Sequence, residues 1–355
     1  MPREINDYYF PGEGDDYNPA EPPVIEVPPA PPQEPPQSDG NPFEDAVTIA
    51  ANEDPQITDT LPTVTGLGLH VDGDYLAYYA SGNDQTTAGD ARQNALDLIE
   101  SFRSRVGADE VYVHMTAATS DKGLRYKIAE VKPYQSHRSG SKKPRNWAYL
   151  REFLENYTGP AFTVQIWADR EADDAIGAAA FDAISGPQGY AGIATKDKDM
   201  RMMPGHHVNW STRDLTVVAP GDYEVIGNDS KLYGLKFFYQ QMLEGDRADA
   251  IPGLEFYKNT KGNLVNLGPK TAQKLLAPAT TVDEAAQIVM DLYKGAYQNY
   301  WPERFVEQAA LLWMRLDADA DVDDFLTHTG SQQVSNVYPQ EVIDAAAALV
   351  ARVTA

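Results

Sequence analysis

No cysteine occurs among the 355 residues. Disulfide scaffolds, Cys-ligated zinc, iron–sulfur clusters and thiol nucleophiles are therefore excluded together. No apolar run approaches the roughly 20 residues that a membrane helix requires, so a soluble protein without a membrane partner is expected. The first residues, Met1 to Asp7, lack the basic-then-apolar layout of a signal peptide, which makes a cytoplasmic location the expectation. Basic charge is scarce as well. The net charge is −24, which taken alone argues against a nucleic-acid partner. Its distribution says otherwise. Residues 1–60 hold fourteen acids and one base, Arg3, whereas Lys122 to Arg151 holds nine Lys or Arg residues and a single acid, Glu130.

What is present divides the chain into four stretches. Residues 1–62 carry fourteen of the 25 prolines with few apolar residues between them. Such a segment cannot bury enough surface to offset its ordering entropy, and it reads as a disordered acidic tail, with Tyr8, Tyr9 and Phe10 near its tip. From 63 to 230, short apolar runs alternate with amphipathic stretches. Strands are expected at 68–72, 110–115, 162–166 and 190–195, and helices at 91–106, 147–157 and 172–184. That alternation predicts an α/β fold with a parallel sheet flanked by helices. Helices dominate 231–316, over 232–243, 268–276, 282–299 and 302–316. An acidic linker and a terminal helix occupy 317–355.

Ligands of open α/β sheets bind beyond the carboxyl ends of the strands, and the acids of this sequence fall there. Asp72 and Asp74 follow the first strand and Asp121 the second. Glu171, Asp173 and Asp174 follow the third, and Asp197 and Asp199 the fourth; Asp246 and Asp249 come later. Any one of them is accounted for by complementing a helix macrodipole. Together they present another problem, because two carboxylates about 5 Å apart repel by roughly 3 kcal/mol at an effective dielectric near 20. Divalent cations are the remedy, and all-oxygen ligation selects Mg²⁺ or Mn²⁺. Two such ions about 3.5–4 Å apart suit an in-line phosphoryl displacement, that of a phosphodiesterase or phosphatase. Further on, Gly268-Pro269-Lys270-Thr271-Ala272 opens a helix with free N–H groups and puts Lys270 and Lys274 one turn apart. That arrangement grips phosphate without reading bases.

Taken in order, Asp72-Gly73-Asp74, Asp121, Glu171-Ala172-Asp173-Asp174, Thr195-Lys196-Asp197-Lys198-Asp199, Gly245 to Gly253 and Gly268 to Ala272 resemble the 5′→3′ exonuclease and flap endonuclease family. The likeness is to its stand-alone bacteriophage members, related to the 5′ nuclease domain of bacterial DNA polymerase I, and covers about residues 67–316. The resemblance implies a PIN-like fold with two Mg²⁺ ions, which Mn²⁺ can replace, and a helix–hairpin–helix element on duplex DNA bearing 5′ ends, nicks or flaps. Asp72, Asp121, Glu171 and Asp173 would serve one ion; Asp197, Asp199 and Asp246 would serve the other, with Asp174 and Asp249 assisting. The stripe 122–151 would be a gateway for the 5′ strand, in which Tyr134 stacks on a base and Arg138 meets the scissile phosphate. Lys132, Lys142, Lys143 and Arg145 add DNA contacts, and the hairpin at 253–268 would hold K⁺ through carbonyls. The setting would be replication or recombination, in the host cytoplasm for a viral protein.

Three departures stand out. Gln135 replaces the usual gateway lysine, whose task would pass to Lys132, Lys142 or Lys143. The loop from Leu254 to Leu267 is long, with Lys258 and Lys261 as added phosphate contacts, and Asp121 sits well beyond its strand. Two rival readings remain. In one, a catalytically weak protein binds branched DNA and recruits a basic replication partner through its acidic tail. In the other, a haloacid-dehalogenase-type phosphatase uses Asp72 as nucleophile and Asp74 as acid/base. His206-His207 reads as structural, and the run from Asp317 to Asp324 as a solvated linker, lacking the Gly and Glu of a calcium loop.

Overall fold

The computed structural model describes residues 60–136, 143–259, 261–265, 267–316, 321–328 and 337–355. The tail before residue 60, Arg138, Lys142 and Asp317 to Ala320 lie outside the described residues.

Six strands form one sheet in the order β3-β2-β1-β4-β5-β6. They are β1 (Val64–Asp72), β2 (Ala108–Thr116), β3 (Thr163–Trp167), β4 (Gly192–Ala194), β5 (Gly205–Val208) and β6 (Leu215–Val218). The first five are parallel and β6 closes the edge antiparallel to β5. The expected parallel α/β sheet is therefore present, with two more strands than the sequence pattern announces. Register decides where the strands end. Asp72 pairs with His114, Thr116 with Trp167, and Val71 with Ala194, so β1, β2, β3 and β4 all finish at one edge.

The crossover helices arise from local sequence. Helix α1 (Gly73–Tyr79) begins directly after β1, and Asp72 is its N-cap, accepting from Tyr75 N at 2.9 Å. Helix α2 (Ala88–Val106) opens on a capping box made by Thr87 and Asp90 and ends at Gly107, whose φ of +74° suits glycine. A short turn, α3 (Arg125–Ile128), precedes α4 (Trp147–Glu155). Helix α5 (Ala172–Asp182) starts at Glu171, which makes no side-chain cap. Glu171 is thus not explained as a helix cap.

Apolar side chains gather on two sides of the sheet. Leu69, Leu76, Ile99, Phe102, Leu150 and Trp210 fill one core. Ile176 and Ala180 of α5 join the other, which includes the C-terminal helices through Phe238, Phe305, Trp313 and Val342. These helices are α6 (Leu235–Glu244), α7 (Pro269–Leu276), α8 (Val282–Tyr297), α9 (Trp301–Leu312), the single turn α10 (Phe325–His328) and α11 (Gln340–Thr354). Each fully buried Phe or Leu contributes about 1.5–3 kcal/mol. The shared core holds α6 and the loop after it in place, and that loop carries two of the candidate acids.

Candidate metal centre

The sheet edge where four strands finish, together with the loop after α6, brings the acids into two adjoining groups. One contains Glu171, Asp173 and Asp197, with Glu171 and Asp197 both acting on Asp173. The other contains Asp199, Asp246 and Asp249, each offering a carboxylate oxygen within 4.8 Å of the others, all three buried. Asp197 joins the groups: it is pushed well above the usual carboxylate range by burial and then by Asp199, Asp249 and Asp246. Burial, then Glu171, Asp174 and Asp197, does the same to Asp173. Asp72 is raised to about 6 by burial and by Asp74, against hydrogen bonds from Tyr75 N and the Thr195 hydroxyl. Asp246 is raised by burial and Asp199, and Lys198 partly offsets this. So many raised carboxyls on one edge describe a site short of positive charge. Buried, oxygen-only and crowded, it fits a hard divalent cation.

The backbone after α6 explains why two acids share one small ring. Asp246 and Ile251 form a β-bridge, with Asp246 N to Ile251 O at 2.8 Å and Ile251 N to Asp246 O at 2.7 Å. Gly245 and Gly253 flank it at φ +72° and +65°. A Cβ on Gly245 would fall 2.3 Å from Ile251 O, and one on Gly253 2.4 Å from Gly245 N. Only glycine fits at such an approach.

Three cations meet these acids, and the sequence pattern assigned none of them to an acid. Arg125, 3 % exposed, grips the fully buried Asp174 with both terminal nitrogens, Nη2 to Oδ1 at 2.8 Å. Burial would raise Asp174, but Arg125 wins and holds it below the usual carboxylate range. Asp174 also accepts from Arg315 N at 3.3 Å, so it is committed to a structural ion pair. Lys198 Nζ lies 3.1 Å from Asp199 Oδ1 and 3.2 Å from Asp246 Oδ2. Lys122 Nζ lies 3.3 Å from Glu171 Oε1 and donates to Gln135 Oε1. Glu171 accepts in addition from Tyr134 Oη at 2.7 Å and Gln135 Nε2 at 3.2 Å. Lys198 stands between two acids of the sequence motif and was visible there; Arg125 was one more base in a stripe that looks solvated.

Other candidate residues take different places. Asp121 is exposed and its Oδ1 accepts from Gly123 N at 3.0 Å. Asp74 is bound to Arg151 Nη1 at 2.6 Å and to Thr116 N at 3.1 Å. Tyr134 is buried within the helical core, edge-on to Tyr126, so in this conformation it offers no face for a base. Lys132 pairs with Glu255 at 3.0 Å, Lys143 lies over the Trp147 ring at 4.8 Å, and Arg145 donates to Asp84 O at 3.1 Å. Lys270 and Lys274 are exposed along α7, in the spacing the sequence implied. Backbone strain concentrates nearby: of seven non-glycine residues with positive φ among the described residues, Lys122 and Gln135 (both 54°) contact Glu171 and Ala250 (61°) adjoins Asp249. Such residues cluster at functional sites.

No protein-family model matches the chain, and no curated protein matches it by sequence. Among solved structures it is similar to the flap endonuclease of bacteriophage T5 in a pseudo-enzyme–product complex with DNA and metal ions, with 14 % identity over 81 % of this chain and 99 % of that one and a TM-score of 0.47. It is also similar to that phage protein co-crystallised with metal ions (14 % identity, 80 % and 98 % covered, TM-score 0.43), and to a mutant of T5 5′-exonuclease (14 % identity, 81 % and 98 % covered, TM-score 0.41).

Proposed function

We propose that the chain is a Mg²⁺-dependent 5′ nuclease. It hydrolyses DNA phosphodiesters at duplex ends, nicks and flaps to leave 5′-phosphates, in phage-type replication or recombination. The observation that carries this reading is the pair of adjoining acid groups joined through Asp197 at the strand ends. Asp72, Glu171, Asp173 and Asp197 would hold one ion, and Asp199, Asp246 and Asp249 the other. Two such ions, when bound, supply an activated water and stabilisation of both oxygens in an in-line displacement.

The chain's own residues supply the setting. Thr195 donates from Oγ1 to Asp72 Oδ2 at 3.0 Å and accepts from Asp197 N at 3.0 Å, fixing two acids from one hydroxyl. The Gly245–Gly253 ring fixes Asp246 and Asp249. Lys270 and Lys274 grip duplex phosphates from α7, which selects shape rather than sequence. The tail contributes contacts to a basic replication protein.

The dehalogenase-type reading fares poorly, because an acid/base at Asp74 needs a carboxyl free to exchange protons and Asp74 is held by Arg151 and Thr116 N. The test uses 5′-flapped and nicked duplexes labelled at the 3′ end, with Mg²⁺, with EDTA, and with Asp197→Ala. Cutting that needs Mg²⁺ and is lost in the variant supports the nuclease. Tight flap binding without cutting supports the branched-DNA-binding reading instead.

A further inference from the structure

The second acid group contains its own cation. Lys198 Nζ lies 3.1 Å and 3.2 Å from oxygens of Asp199 and Asp246, two of the three acids whose oxygens converge within 4.8 Å. An ammonium there stands where a metal ion would. Lys122 repeats the arrangement in the first group, against Glu171. These lysines differ from Arg125, which is sealed in the core beside Asp174: the Lys198 side chain is 35 % exposed and that of Lys122 24 %. A flexible four-carbon stem with an open path to solvent lets the charge leave without disturbing the fold.

We infer that Lys198 is an internal counter-ion of the acid cluster that yields its place when a divalent ion binds and then turns to a phosphate oxygen of the substrate. The inference rests on the reading of this edge as a metal-dependent nuclease site. An ammonium and a dication about 4 Å apart repel strongly at the effective dielectric of a protein, so both cannot hold Asp199 and Asp246 at once. One ammonium also neutralises too little: Asp199, Asp249 and Asp246 all bear on Asp197, and Asp199 bears on Asp246. Lys198 therefore keeps the empty cluster folded, lowers its apparent metal affinity, and is released beside the position where the phosphodiester must lie. Released there, it meets an anion that no residue of the acid groups can supply. Lys198 is on this account a positioning residue in the free protein and a phosphate contact in the loaded one. Metal and DNA then favour each other's binding, because the phosphate takes up the charge that the metal displaces.

The experiment titrates the full chain with Mg²⁺ alone, by calorimetry and by the Mg²⁺-induced rise in melting temperature, for wild type, Lys198→Met and Lys198→Arg. Lys198→Met is expected to bind Mg²⁺ about tenfold more tightly, to melt below wild type in EDTA, and to cleave a flapped duplex more slowly at saturating Mg²⁺ through kcat. Lys198→Arg should keep the wild-type Mg²⁺ affinity within about twofold, since the charge remains. Unchanged or weaker Mg²⁺ binding in Lys198→Met overturns the inference, because a merely structural lysine would lower affinity when lost. Should Lys198→Met fail to fold without metal, Lys198→Gln in the same titration decides on the same criterion. A wild-type chain that neither responds to Mg²⁺ nor cuts DNA removes the nuclease reading itself. Cutting by the wild type with unaltered metal affinity in the variant removes only the role of Lys198.

Discussion

Breaking the Arg125–Asp174 pair should cost far more than breaking any ion pair on the surface. Asp174 is fully buried and Arg125 nearly so, with both terminal nitrogens on the carboxylate. Arg125→Leu leaves a charge in the core that water cannot reach, and removing one partner of such a pair costs about 3–5 kcal/mol. A folded part of this size has an unfolding entropy of roughly 0.6 kcal/mol/K, so the melting temperature should fall by roughly 5–8 °C. Arg125 Nε and Nη2 also approach the carbonyls of Leu311 and Trp313 at 3.4 Å, so the loss should loosen the end of α9 against α5. The double variant Arg125→Leu/Asp174→Leu removes both charges and fills the space with apolar atoms. It should recover to within about 1–2 kcal/mol of wild type, because a buried pair offers little over a hydrophobic replacement. Denaturant unfolding of the four proteins closes a double-mutant cycle. A cost below about 1 kcal/mol for Arg125→Leu, or a double variant no better than the single one, would refute the assignment of Asp174 to structure. Mg²⁺ binding in the double variant gives a separate check: it should persist, because Asp174 is taken up by Arg125 rather than by the metal groups.

Three further outcomes are expected. Burial lowers His207 from its ordinary 6.5 to about 4, although its bond to Met203 O works the other way. The unfolded chain then takes up the proton first as pH falls, so stability is full above pH 6.5 and declines towards pH 4, by about 3 kcal/mol from this residue; acid unfolding of His207→Gln should show a shallower slope, and an unchanged slope would count against it. Gly253→Ala puts a methyl group against Gly245 N at positive φ and should destabilise by more than about 2 kcal/mol while weakening Mg²⁺ binding; normal metal affinity at reduced stability would separate the ring from the site. Lys270→Ala and Lys274→Ala should each weaken duplex binding at every sequence and reduce its log–log salt slope by about one, with a slope equal to wild type in either variant excluding that lysine from phosphate contact.

The alternation of strands and helices was legible because β1 to β4 and the helices α2, α4 and α5 between them each carry their own period. Strands β5 and β6 were not, since each is only four residues long and β5 reads Gly-His-His-Val, with no apolar run. Helix α1 was hidden because it begins at the end of β1 without a linker, so the acid that ends the strand also caps the helix. That Asp72, Glu171 and Asp197 follow strand ends could be read from sequence, because parallel strands finish at one edge. Which acids are already paired could not. Arg125 and Lys122 share a stripe with Lys132 and Arg145, and charge alone does not tell a core guanidinium from a surface one. Asp324 shows the same limit: read with its neighbours as a solvated linker, it is buried and accepts from Trp313 Nε1 at 3.1 Å and Leu316 N at 2.8 Å. Tyr134 and Gln135 face inward on Glu171 because their loop folds back, Gln135 N donating to Asp249 O at 2.9 Å.

That last hydrogen bond makes the basic stripe and the acid ring parts of one mechanical circuit. Gln135 touches Glu171 through its side chain and Asp249 through its backbone, so this one residue rests on both acid groups at once. Pulling the loop outward would unlatch Glu171 and the ring together, and a change at either group would be felt at Gln135.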